Sequence, residues 1–250
     1  MSGHSKWSTI KRKKGAADAK RGKLFARLIK AIEAAAREGG ADPDANPTLA
    51  TMVQKAKDAS VPKDNIQRAL DRASGKEGGG AQWETVFYEG YAPGGVAVYV
   101  ECLTDNRNRA AADVRAAFTK HGGSLAEPGA VNYLFTRTGV LTVPADGTSE
   151  DDLLVAGLEA GIEDVTADDE QFTITCAPED VNGLRKALES AGITVSSSDS
   201  TMLPSVNVPI TDEDSAKKVL RIIDALEDAD DVQEIYANYD IADDLLEAVA

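Results

Sequence analysis

The spacing of apolar residues is purely helical at the start of this chain and mixed beyond it, and that change limits the folds open to it. Up to Ala73 they recur every three or four positions; from Val96 alternating runs and helical runs take turns. Leu24, Phe25, Leu28, Ile29, Ile32, Ala35 and Ala36 make one helical stripe, which Gly39-Gly40 terminates. Asn46 as cap and Pro47 in the first turn open a second helix, with Leu49, Met52, Val53 and Ala56 facing inward. A third begins near Pro62, buries Ile66, Ala69, Leu70 and Ala73, and stops at Gly75. Three amphipathic helices predict a small bundle.

Ser74–Gln82, "SGKEGGGAQ", has linker composition. Beyond it "VAVYVECL" reads as a strand, Arg107–His121 as a helix burying Ala111, Val114 and Phe118, and "VNYLF" as a strand with Val131, Tyr133 and Phe135 in phase. The next stretch reads β-α-β-β-α-β, the ferredoxin-like order. Its strands are near Val140–Val143, Ile162–Thr166, Phe172–Cys176 and Ile193–Ser198, its helices Glu150–Ala160 and Pro178–Ala191. "SVNVPI", a helix over Asp212–Leu226 with Thr211 and Asp214 as a capping pair, and "VQEIYANY" complete the pattern. The expected fold class is α+β: an N-terminal three-helix domain followed by two ferredoxin-like α/β domains, one inserted in the other. The expected domains are 1–75, a split domain of 82–138 plus 204–250, and an inserted domain of 139–203.

Charge divides along the same line. The chain of 250 residues has a formal net charge of -15, yet residues 1–80 hold 17 Lys+Arg against 9 Asp+Glu, and residues 81–250 hold 10 against 33. A basic lobe on an acidic body turns one end toward a polyanion and repels it from the other. Lys20, Lys23, Arg27, Lys30 and Arg37 step by three, four or seven, a second stripe on the solvent side of the first helix. Ser2–Gly15 lacks such a pattern and reads as an arm that orders on a partner. The candidate nucleic-acid contacts are Lys6, Trp7, Lys11, Arg12, Lys13, Lys14, Lys20, Arg21, Lys23, Arg27 and Lys30. Their cations would release counterions from phosphates, and Trp7 would stack on a base. A helix–turn–helix reading of the second and third helices is weaker, because the basic stripe lies on the first.

Five blocks in order carry a resemblance: "GHSKW" (3–7), "KRKKGAADAKRGKLFARLIK" (11–30), "YEGYAPGGVAVYVE" (88–101), "LTDNRNRAAADVRAAFTKHGGSL" (103–125) and "EPGAV" (127–131). They resemble the YebC family, which includes the mitochondrial translational activator of cytochrome oxidase. The resemblance covers nearly the full chain. It implies an N-terminal helical domain and two α/β domains, and a DNA-binding transcriptional regulator or, as for other members, a translation factor acting at the ribosome. The implied partners are nucleic acid, DNA or ribosomal RNA, and the ribosome. The chain departs from the family at Ala92, where glycine is usual; a positive φ there would put the loop's shape in doubt.

Two further segments are candidate contacts. In "TDNRNR", Arg107 and Arg109 enter the first turn of a helix, where they make either an anion site or salt bridges to Asp105, Glu101 or Asp113. In "WETVFYEGYAPGG", Tyr88, Tyr91, Gly94 and Gly95 form either a strand and turn packed on the domain or a contact loop. The "GGSLAEPGAV" turn reads as structural. His4 and His121 are the only histidines and lack partners at metal-ligand spacing; no catalytic residue, metal site or cofactor is expected, and the chain is not read as an enzyme. The carboxylates of "TSEDD" and "EDADD" read as solvation and helix capping. Cys102 and Cys176 fall in phase with apolar neighbours, as buried thiols in a reducing cytoplasm. A mitochondrial presequence is disfavoured because the basic run flows into a patterned helix without a break. No apolar run approaches the roughly 20 residues of a membrane span, so no membrane partner is expected.

Overall fold

A computed structural model describes residues 18–75, 83–168 and 170–249. In chain order its elements are α1 (Asp18–Gly39), α2 (Pro47–Asp58), α3 (Lys63–Ala73), β1 (Glu84–Ala92), β2 (Val96–Thr104), α4 (Arg107–Lys120), β3 (Ser124–Ala126), β4 (Phe135–Pro144), α5 (Glu150–Gly157), β5 (Ile162–Ala167), β6 (Gln171–Cys176), α6 (Val181–Ser190), β7 (Ser197–Pro204), β8 (Val208–Ile210), α7 (Glu213–Asp228), β9 (Val232–Ala237), β10 (Tyr239–Ile241) and α8 (Asp243–Val249). The class is α+β. The chain divides into two compact units: unit 1 holds residues 1–80 and 137–201, unit 2 holds 81–136 and 202–250.

Unit 1 has two cores. In the first, Ile32, Ala35 and Ala36 of α1 pack on Leu49, Val53 and Ala56 of α2 and on Ile66 and Ala69 of α3. Asn46 fastens this bundle three ways: its side chain accepts from Leu49 N–H and donates to the carbonyls of Ala35 and Gly40. That satisfies an open N–H at one helix start and carbonyls near the end of another. In the second core the sheet order is β5-β6-β4-β7, the ferredoxin-like arrangement, with Leu141, Val143, Ile174, Leu153, Leu184 and Leu188 inside. Polar groups join α2 to α6 and β7. Arg185 donates to both oxygens of Asp58 at 2.8 and 3.1 Å, Lys55 meets Asp199 at 2.7 Å, and Asn182 donates to Thr51 at 3.3 Å.

Unit 2 is built on the sheet β3-β1-β2-β9, with a second, parallel pair β8-β10. Val96, Val98, Val100 and Cys102 of β2 lie in the core with Val114 and Phe118 of α4 and Val219, Ile222 and Leu226 of α7. The other face of the sheet is aromatic: the rings of Phe87 and Tyr99 stack at 5.0 Å, and Phe135 and Tyr236 follow at 6.0 and 6.2 Å from Tyr99.

Several sequence expectations change. "VNYLF" is not a strand of the unit 2 sheet: Asn132–Leu134 is a 3-10 turn, Tyr133 is 71% exposed while Val131 and Phe135 are buried, and Phe135 begins β4. The unit 2 sheet instead takes β1, which forms a hairpin with β2, and the short β3. Asp212 rather than Thr211 caps α7, accepting from Ser215 N–H at 2.8 Å, because the carboxylate one residue later reaches that amide. The last strand of the inserted pattern starts at Ser197 instead of Ile193 and runs to Pro204. Leu24, expected in the bundle stripe, is 42% exposed because it lies about two helical turns before the first buried position, Ile32.

Candidate nucleic-acid interface

Helix α1 carries the basic stripe. Between Ala19 and Ile32 it has Lys20, Arg21, Lys23, Arg27 and Lys30 and no carboxylate. Arg21 and Lys23 are exposed; Arg27 and Lys30 are half-buried. The Arg21 guanidinium lies over the Phe25 ring, 6.0 Å from its centroid. Beyond Ile32 the character changes. Glu33 accepts from Arg37 at 2.9 Å and from Arg72 of α3 at 3.2 Å, so the basic stripe ends near Lys30. Lys6, Trp7, Lys11, Arg12, Lys13 and Lys14 lie outside the described residues.

Helix α3, the second helix of a helix–turn–helix reading, is not a free cationic surface. Arg68 donates to the Asn65 side chain and the Asp64 carbonyl, and Arg72 is tied to Glu33.

In unit 2, carboxylates engage the arginine pair at the start of α4. Arg107 meets Glu84 at 2.6 Å. Arg109 reaches Asp231 through two nitrogens, at 2.9 Å each, and Asp105 at 2.7 Å. The salt-bridge alternative thus describes this geometry, with Asp105 as foreseen and with Glu84 and Asp231 as partners the sequence did not indicate. The helix start is also filled: the Asn106 side chain accepts from the N–H groups of Asn108 and Arg109. Asp231 is buried and accepts as well from the Thr104 hydroxyl at 2.9 Å. The guanidinium pKa of both arginines is raised, by Glu84 for Arg107 and by Asp105 and then Asp231 for Arg109.

Tyr88 packs against the core, and its hydroxyl donates to the Arg107 carbonyl at 3.0 Å. Burial raises its pKa. Tyr91 stays more open and donates to the Ala130 carbonyl at 2.8 Å. Pro93–Gly95 forms the three-residue turn between β1 and β2, with Gly94 and Gly95 at φ 79° and 78°. Ala92 has φ -90°, extended backbone, so the methyl group leaves the loop's shape intact.

Glu89 is the residue sequence reasoning passed over. Its buried carboxylate accepts from the N–H groups of Gly129 (2.7 Å), Val131 (2.6 Å) and Asn132 (2.9 Å). Burial alone would raise its pKa; these amides outweigh burial and hold it below the usual value. Glu89 thereby pins the "EPGAV" turn onto β1. The only sequence trace was a charge in phase with Phe87 and Tyr91 inside an alternating strand.

Comparison with known proteins agrees with this architecture. A family model described as the TACO1/YebC N-terminal domain matches residues 5–76, and one for the TACO1/YebC second and third domain matches residues 83–239. The chain belongs to the TACO1/YebC family. A probable transcriptional regulatory protein of Thermobifida fusca is 58% identical over 250 residues, covering all of both chains. One from Corynebacterium aurimucosum is 60% identical over 246 residues, 98% of each chain. The crystal structure of a conserved hypothetical protein from Aquifex aeolicus has a TM-score of 0.80 at 46% identity, covering 90% of this chain and 93% of its own.

Proposed function

We propose that this member of the TACO1/YebC family is a non-enzymatic regulator of gene expression that grips nucleic-acid phosphates. The grip comes from the N-terminal half of α1 and the basic residues before it, and the protein acts in the cytoplasm. The observation that carries this reading is the carboxylate-free run of five cations on α1, in a chain whose remainder is strongly acidic. The name its relatives carry, probable transcriptional regulatory protein, supports the regulatory role. In unit 2, Arg107 and Arg109 serve the start of α4, and Tyr88, Tyr91, Gly94 and Gly95 set the loop.

A second reading, a ribosomal-RNA-associated translation factor, is favoured by α3. Its arginines are committed within the bundle, which leaves it poorly suited to reading base edges in a major groove. Phosphate contacts alone do not distinguish DNA from RNA.

Fluorescence anisotropy with a labelled DNA duplex and a ribosomal-RNA fragment tests both readings. Lys23→Glu with Arg27→Glu should weaken binding and flatten the plot of log affinity against log salt by about two units. Reversing Lys11–Lys14 to glutamate should abolish it. Binding independent of salt would overturn the proposal, and preference for one probe selects the reading.

A further inference from the structure

Helix α5 reverses the usual polarity of a surface helix. It turns Leu153 and Gly157 inward, with Gly157 seated closely on the side chains of Ile162 and Leu184. Its outward stripe is Asp151, Leu154, Val155 and Leu158, at i, i+3, i+4 and i+7. Val155 is 83% exposed and Leu158 73%. Carboxylates flank this apolar strip: Glu150, Asp151 and Asp152 in the first turn, and Glu159 just past Leu158. The whole stretch 138–184 carries 12 Asp+Glu and no Lys or Arg. Such a surface repels nucleic acid and attracts a cationic segment that brings apolar anchors.

We propose that this face of α5 is an intramolecular docking site for the chain's own N-terminal segment, with Trp7 and Ile10 against Val155 and Leu158 and Lys11–Lys14 beside the flanking carboxylates. Two observations select this occupant. The segment has the complementary chemistry: Trp7 and Ile10 are its apolar anchors, and Lys6, Lys11, Arg12, Lys13 and Lys14 its charges, with no acid before Asp18. It also has the length. From Asp18 an extended chain carries Ile10 about 28 Å and Trp7 about 38 Å, on the scale of the roughly 40 Å breadth of a globular body of unit 1's length. Helix α1, which follows the segment in the chain, and α5 both belong to unit 1.

The consequence is competition. A tethered segment meets its site at an effective concentration near millimolar. A weak site therefore holds it most of the time and lowers its apparent affinity for other polyanions by the undocked fraction. Only a dense phosphate surface would displace it. This regulatory role rests on the nucleic-acid reading; the docking itself does not.

The test uses the full chain with Val155→p-benzoylphenylalanine as a photo-crosslinker, in the absence of nucleic acid. Mass spectrometry of the monomer band should place the adduct within residues 1–17. Adding Leu158→Asp, or raising NaCl from about 0.05 to 0.5 M, should cut the yield at least fivefold. Adducts found elsewhere, a crosslinked dimer, or no adduct would overturn the proposal. An independent readout is affinity for a 20-nucleotide RNA: Val155→Asp with Leu158→Asp should release the segment and raise that affinity roughly three- to tenfold. An unchanged affinity, in a chain that binds RNA, would remove the competition. Because the crosslink needs no RNA, its failure is distinct from a failure to bind nucleic acid.

Discussion

Replacing Glu89 with glutamine should detach the "EPGAV" turn from β1 without disturbing the surrounding packing. Glutamine has nearly the same shape, so only the acceptor count and the charge change. In the parent, one carboxylate oxygen serves Gly129 and the other serves both Val131 and Asn132. A glutamine oxygen can take the second role, but its NH2 group then faces the Gly129 N–H, donor against donor. One charge-assisted bond is lost and two fall to neutral strength. With about 1.5–3 kcal/mol for a bond to a charged group and about 1 for a neutral one, the gross loss is about 2.5–7 kcal/mol. Removing a buried charge returns part of that, leaving roughly 2 kcal/mol. In a unit of this size that lowers Tm by about 8 °C. Calorimetry and urea unfolding of the full chain measure it. The pH dependence fixes the cause. Glu89's pKa is depressed below its ordinary 4.5, so its contribution is fully present above that value and is lost as pH falls through the folded-state pKa. The gap between parent and variant should therefore narrow as pH falls below 4.5. A variant within about 0.5 kcal/mol of the parent at pH 7, or a gap that does not narrow in acid, would refute the assignment.

Gly94→Ala should destabilise unit 2 by about 1–3 kcal/mol in chemical denaturation, because φ is 79° and a Cβ would stand 2.8 Å from Ile210 Cδ1. Ala92→Gly should cost under about 1 kcal/mol, the entropy of a freer unfolded chain. Asp58→Ala should destabilise unit 1 by roughly 1–2 kcal/mol, since Arg185 keeps Glu189 and Ser198 as partners. A double-mutant cycle with Arg185→Met isolates the pair. Neither cysteine should react with a thiol reagent until the chain unfolds: both are fully buried, and burial pushes the Cys176 thiol up to about 11.

Legibility in the sequence followed the range of the interaction. The Asn46 cap, the stripes of α2 and α3 and the two buried thiols depend on neighbours a few positions away, and periodicity carries them. The alternation of Val131, Tyr133 and Phe135 has the same local form and misleads, because a 3-10 turn across Asn132–Leu134 throws Tyr133 outward. In β1 the sequence shows aromatic residues and a glycine turn, but not that Tyr88 faces the core while Phe87 and Tyr99 stack on the opposite face. In the candidate interface, local reasoning found the cations and missed the groups that engage them. Asp231 lies 122 residues from Arg109, and Glu89 some 40 residues from the amides it binds.

By itself the sequence determined the α+β class, most of the helical and strand segments, and the partition of charge into a basic start and an acidic remainder. These follow from side-chain period and composition, which need no third dimension. Only the tertiary structure decided which cations meet which carboxylates: Arg37 and Arg72 share Glu33, Arg107 meets Glu84, and Arg109 meets Asp105 and Asp231. The physical reason is that a charge's role depends on what lies within a few ångströms of it, and the fold brings those partners together from distant parts of the chain.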